Sequence, residues 1–251
     1  MVLENIGIGC DIMSIKVLLF VIAFVPIVSL GSFVYYKDKN KEPIKILIEM
    51  FLAGIVATFI TVMLSTLLGI LVPGYSELYN SRDYVGLYAF SLISVALLQE
   101  FSKWVLVYIL GYNNKEYDEP YDMIVYSLFI SLGFAFIENL IYVYDGGANV
   151  SLFKAFGDVV LQACMGVFIG YFISLAKLAH IDKKPYIKYV ILSLAVPCIL
   201  HSILDYLLIL GNLVFIFLFI VVIVVAYYFA YKNISRLSSM DRVIENDGMF
   251  N

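Results

Sequence analysis

Apolar residues in this chain gather into long unbroken runs. Such runs lie near residues 14 to 36, 45 to 72, 85 to 111, 122 to 144, 155 to 178, 187 to 210 and 212 to 231, separated by charged or Gly/Pro-marked breaks. Each exceeds the roughly 18 residues at which a helix crosses a hydrocarbon core of ~30 Å. The last two runs are parted only around Leu210, Gly211 and Asn212, which predicts a tight helical hairpin in preference to one long bent segment. The pattern predicts an all-α polytopic membrane bundle of about seven transmembrane helices. It forms a single domain over residues 1–234, with a short cytoplasmic tail over 235–251.

Composition agrees. The 251 residues are 63% hydrophobic and 14% charged, against roughly 45–50% apolar content in a soluble domain. The mean hydropathy is +0.95. Cationic loops are retained on the cytoplasmic side, and an outside N-terminus puts twelve Lys and Arg residues inside, among them Lys37, Lys115, Lys177, Lys183 and Arg236. Only Arg82 and Lys154 then fall outside, so an odd number of spans with a cytoplasmic C-terminus is expected. The N-terminus lacks a basic region and a small-residue cleavage site, so its apolar run is read as a retained span. The net charge of -4 offers no basic stripe for nucleic acid, and no nucleic-acid partner is expected. Cys10, Cys164 and Cys198 are too scattered for a disulfide framework and read as packing thiols.

Against this background the polar residues inside the runs stand out. A charged side chain in the hydrocarbon region costs at least about 2.5 kcal/mol, which makes each one a functional candidate. The third run holds Gln99, Glu100 and Lys103, the fourth Glu138 and Asn139, the fifth Gln162, and the sixth His201 and Asp205. Residues three or four apart share a helix face, so Glu100 with Lys103, and His201 with Asp205, can point inward together. Counting about 1.5 Å of rise per residue places these groups in the middle to outer part of the membrane, at overlapping depths. Pro197, four residues before His201, is expected to kink or locally open its helix. His180 falls in an inner loop and reads as a solvated residue.

Three of these motifs together resemble the PrsW family of bacterial intramembrane proteases, itself similar to the wider group containing the prenyl-protein CAAX proteases. A family element E-E-x-x-K matches Gln99, Glu100 and Lys103; F-x-x-x-E-N matches Phe134, Glu138 and Asn139; H-x-x-x-D matches His201 and Asp205. Two positions depart from the family pattern. Gln99 stands where the first Glu of the pair is expected, and Gln162 stands where a His is expected before A-x-x-G-x-x-x-G-Y. Each swap keeps a polar shape and removes acid–base or ligand function. The sequence leaves open whether these glutamines are native or replace the residues of an active parent.

The resemblance implies an intramembrane endopeptidase embedded in the lipid bilayer of a bacterial cell membrane. Its substrate would be a single-span membrane protein such as an anti-sigma factor, cut in site-1 type regulated proteolysis. A carboxylate at position 99 or 100 would serve as general base, with Lys103 holding Glu100 ionised or stabilising developing charge. Glu138 and His201 would polarise the water or the scissile carbonyl, Asp205 would orient the imidazole, and Asn139 would donate a hydrogen bond. A carboxylate-only mechanism is slightly favoured. Zinc held by Glu138, His201 and Asp205 is the alternative. Two other readings stay open, a non-catalytic relative that binds membrane segments and a proton- or ion-coupled transporter.

Overall fold

The computed structural model describes residues 21, 24–75, 77, 80, 83–145 and 148–240 of the chain. These form seven long helices: α1 over residues 24–37, α2 Ile44–Leu71, α3 Tyr84–Tyr112, α4 Asp122–Asp145, α5 Ala148–Ile181, α6 Ile187–Leu210 and α7 Leu213–Ser238. Six of them, α2 to α7, are long and apolar enough to cross a membrane. The earlier part of the run expected from residue 14 lies outside the described residues. Among the described residues there is no β-strand.

The expected hairpin between the last two helices is present, and its chemistry is local. Gly211 ends α6 with φ 63°, and Asn212 caps α7 by accepting from the amides of Val214 and Phe215 at 3.1 Å each. A left-handed residue followed by an Asn cap closes one helix and opens the next with no spare chain. α7 continues to Ser238, past the start of the tail expected at Ser235, and Arg236 donates to the Tyr171 hydroxyl at 2.7 Å.

α4 and α5 form the centre of the bundle, whereas α7 turns Val214, Phe217, Val224 and Phe229 outward. Small residues set the approach of the central helices. A Cβ on Gly133 would overlap the Phe51 carbonyl, and one on Gly54 would overlap that of Ile130, so α2 and α4 cross backbone to backbone. With lipid as apolar as the side chains themselves, this close van der Waals fit is the main force between such helices. Gly133→Leu is expected to remove folded protein from detergent extracts, scored as loss of the monodisperse peak in gel filtration. Gly166 and Gly170 on α5 likewise sit against Ser127 and Met123 of α4, and Ser127 Oγ donates to the Gly166 carbonyl at 2.8 Å. That contact places Gln162, one turn before Gly166, opposite the α4 face that carries Glu138.

α3 is not regular. Phe90–Ala96 and Val107–Tyr112 widen to π geometry on either side of the α-helical stretch Leu97–Leu106 that carries Gln99, Glu100 and Lys103. Such widening shifts the register of the following face and recurs at functional sites. α6 runs through Pro197 without a break in the helix, so the local opening expected there is not seen. Trp104 Nε1 donates to Ser193 Oγ at 2.7 Å, tying α3 to α6 one turn before the proline. Trp104→Phe is expected to cost about 1 kcal/mol, the worth of one such bond, read as a lowered midpoint of thermal unfolding.

Two placements differ from the sequence reading. Lys177, counted among the inner-loop cations, is 1% exposed within α5, with its Nζ 4.4 Å from the centre of the Tyr112 ring. Its long stem reaches an aromatic face at the helix end, where a cation is favourably held without water. His180 closes α5 half-buried and packs edge-on against Tyr186 at 5.0 Å, so it is less solvated than a loop residue. Cys164 and Cys198 are buried free thiols, as expected, while Cys10 lies outside the described residues.

Candidate active site

Four helices bring their polar residues to one place. On α3, the 3-residue spacing stacks Glu100 and Lys103 on one inward face, and Lys103 Nζ donates to Glu100 Oε1 at 2.7 Å. His201 from α6 places Nδ1 2.6 Å from the same oxygen, and its Nε2 lies 3.3 Å from Asp205 Oδ2 one turn further along. Glu100 therefore joins the lysine to the imidazole, and Asp205 supports the ring from behind.

Lys103 also donates to Gln162 Oε1 of α5, which links this half of the site to the other. Gln162 Nε2 donates to Gln99 Oε1 at 2.9 Å and to Glu138 Oε2 at 2.8 Å, and Gln99 Nε2 donates to Glu138 Oε1 at 2.9 Å. Both oxygens of Glu138 are thus capped by side-chain amides. Lys103 additionally lies 5.2 Å from the ring of Phe134, one turn before Glu138 on α4.

Glu100 and Lys103 are fully buried, and Glu138, Gln162 and His201 are buried as well. Seven residues separate Glu138 from the end of α4 and nine separate His201 from the end of α6, a depth of roughly 10–14 Å at 1.5 Å per residue. The Asp205 side chain is 24% exposed, so the site meets its surroundings at that residue. Isolated charges at this depth would be too costly to keep; here each one meets an opposite charge or an amide. One atom is an exception, because Glu100 Oε2 is buried and has no hydrogen-bond partner within the protein. It is an open acceptor next to an ammonium and an imidazole.

Seven of the eight residues singled out from sequence meet in this network. Asn139, beside Glu138, is buried too, but adjacent residues diverge by about 100° around a helix. Sequence reasoning missed Asp158. Its carboxyl interacts with that of Glu138, and its Oδ2 is another buried oxygen with no hydrogen-bond partner. The available signal was its position one turn before Gln162, which puts it on the same face of α5. It was passed over because it falls near the end of an apolar run, where an acid is unremarkable.

The fold and the site define a polytopic membrane protein with a buried acid–base chamber. The chain belongs to the PrsW family of intramembrane metalloproteases, whose family model matches residues 42–231. The protease PrsW of Geobacillus kaustophilus is 35% identical over 187 residues, covering 73% of this chain and 76% of that protein. That of Bacillus subtilis is 31% identical, covering 73% and 79%. That of Halalkalibacterium halodurans is 28% identical over 221 residues, covering 88% and 97%. No solved structure matches the chain. The protein is a multi-pass bacterial membrane hydrolase that acts on membrane proteins.

The family description implies a metal, and the residues can be tested against one. A catalytic zinc takes three protein ligands whose atoms lie about 2 Å from the ion. Among the described residues, Glu100, Glu138, Asp158, His201 and Asp205 do not supply three donor atoms within 4.8 Å of one another. Both nitrogens of His201 face carboxylates, both oxygens of Glu138 face amides, and the Lys103 ammonium lies among them. This donor set does not fit a metal. A histidine at position 162 would place a second imidazole beside Glu138.

Proposed function

We propose that this chain is an intramembrane endopeptidase scaffold that acts on single-span membrane proteins, anti-sigma factors being one such class, with hydrolysis impaired by Gln99 and Gln162. The observation that carries the reading is the buried, unpartnered Oε2 of Glu100, whose other oxygen is held between Lys103 and His201. A water bonded to that oxygen gives up its proton to Glu100 as it attacks the scissile carbonyl, and the proton later passes to the leaving amine. Lys103 and the imidazole carry the complementary positive charge toward the oxyanion. Asp205 keeps the ring aimed at the chamber. Where a second carboxylate or an imidazole would take part in this proton traffic, Gln99 and Gln162 supply only amides, which hold shape and trade no proton.

The outward depth of the site favours cleavage near the outer juxtamembrane region of the substrate. The test is incubation of the purified protein and its Gln99→Glu variants, in lipid bilayers, with a panel of single-span proteins, and mapping of products by mass spectrometry. Cuts within the outer third of the substrate span support the reading. Cuts confined to soluble loops, or selective binding with no cut from any variant, would replace it.

Zinc is tested separately. Gln162→His is expected to raise the zinc content of the purified protein above that of the unaltered chain, measured by elemental mass spectrometry. Equal content in both would favour the carboxylate route.

A further inference from the structure

A second group of acids lies at the opposite end of α4, sixteen residues from Glu138, or about 24 Å at 1.5 Å per residue. Asp38 comes from the link between α1 and α2, Glu119 from the link between α3 and α4, and Asp122 from the first turn of α4. One carboxylate oxygen from each lies within 4.8 Å of the other two. Glu42 joins them, near enough to interact electrostatically with both Asp38 and Asp122.

Acids at a loop end are ordinarily solvated, and three of these are not, while Glu119 is half-buried. Asp38 is 3% exposed, Glu42 4% and Asp122 0%. Asp122 Oδ2 is oriented by the amides of Asp118 and Glu119 at 3.1 and 2.7 Å, and Glu119 Oε1 accepts from the Asn40 side chain. Both oxygens of Asp38, Oδ1 of Asp122 and Oε2 of Glu42 are buried without a well-formed hydrogen bond, although the amides of Asn40 and Glu42 act on Asp38 and the Tyr126 hydroxyl acts on Glu42. Lys41 acts on Asp38 from a distance but forms no ion pair with it, its ammonium lying 6.0 Å from the centre of the Tyr35 ring. Burial and mutual repulsion push the Asp38 carboxyl up to about 6 and that of Glu42 up to about 7. Carboxylates this deeply buried, with no cation at ion-pair distance among the described residues and with Asp122 Oδ1 wholly unmet, lack a full positive partner.

We infer that Asp38, Glu42, Glu119 and Asp122 form a binding site for a hard divalent cation, Ca²⁺ or Mg²⁺, that clamps the α1–α2 and α3–α4 links to the start of α4. An all-carboxylate set without nitrogen or sulfur selects hard ions. Oxygens on opposite sides of Ca²⁺ stand about 4.6–5.2 Å apart, twice its bond length, and about 4.0–4.2 Å apart around Mg²⁺. The three oxygens lie within 4.8 Å of one another, a spread that both ions can span. This site is separate from the chamber at Glu100 and involves none of its residues.

The experiment is a titration of the full-length, metal-stripped protein in detergent with CaCl₂ or MgCl₂, followed by thermal unfolding and calorimetry. Expected is a saturable rise in the unfolding midpoint of several degrees for one or both ions. Asp38→Asn, Asp122→Asn and the double variant should weaken binding at least tenfold. Since each removes a buried like charge, each should also leave the metal-free protein as stable as before or more so. That sign separates ligand loss from misfolding. The response should persist in a Glu138→Gln background, which keeps this site distinct from the chamber whether or not the protease reading holds. No response in the unaltered chain up to millimolar ion, or an undiminished response in the Asp38→Asn/Asp122→Asn double variant, overturns the inference.

Discussion

Replacing Gln99 with Glu and Gln162 with His together should raise cleavage of a competent single-span substrate by about 10²–10⁴-fold, the range a positioned acid–base group contributes. In the present chain the two amides cap both oxygens of Glu138 and bond to each other, so this half of the chamber holds its geometry without a proton to exchange. A carboxylate at 99 supplies a proton acceptor beside Glu138, and an imidazole at 162 supplies a group that titrates near neutrality. Gln99→Glu is nearly isosteric, so any loss of folded protein would come from the added buried charge and would show as a lowered unfolding midpoint. If a double variant that unfolds like its parent still cuts no member of a broad panel, the glutamines are not what limits hydrolysis and the binding reading takes precedence.

The second large effect centres on Glu100. Its Oε1 is shared by Lys103 and His201 while its Oε2 is the open acceptor, so Glu100→Gln removes the proposed base and deprives a buried ammonium of its charged partner. Breaking a buried pair from one side typically costs about 3–5 kcal/mol. We therefore expect both a fall of cleavage to background in the restored protein and a drop in stability of that order, measured by unfolding in mixed micelles. The double replacement Glu100→Leu with Lys103→Met should recover most of the stability and none of the activity. Retention of activity within about threefold by Glu100→Gln would show that its transition-state role is negligible, and the base would have to be sought elsewhere, Asp158 being the next candidate.

How legible this was in the sequence depends on the cost of polarity. The helices α2 to α7 were found with ends a few residues out because long apolar runs have no other stable use, and the hairpin at Gly211 was marked by its own turn residues. Glu100, Lys103, Glu138 and His201 were conspicuous because charge within an apolar run is expensive. Asp158, Asp38 and Asp122 were not, since an acid near the end of a run has water as a default partner. Lys177 was assigned to a loop for the same reason and is instead buried against Tyr112. Nor does any local rule show the π-widened turns that flank Gln99 and Glu100.

The amino-acid order by itself determined that this chain crosses the membrane repeatedly, and which side chains are too costly there to be incidental. Both follow from transfer free energies, which are properties of single residues and short runs. The tertiary structure decided that Glu100 serves His201, 101 positions away, that Gln162 bridges Gln99 to Glu138, and that Asp38, Glu119 and Asp122 from three separate segments meet beside Glu42. Such pairings depend on which helix faces meet. That is set by close crossings such as Gly54 with Gly133, whose consequences appear only when the helices are packed.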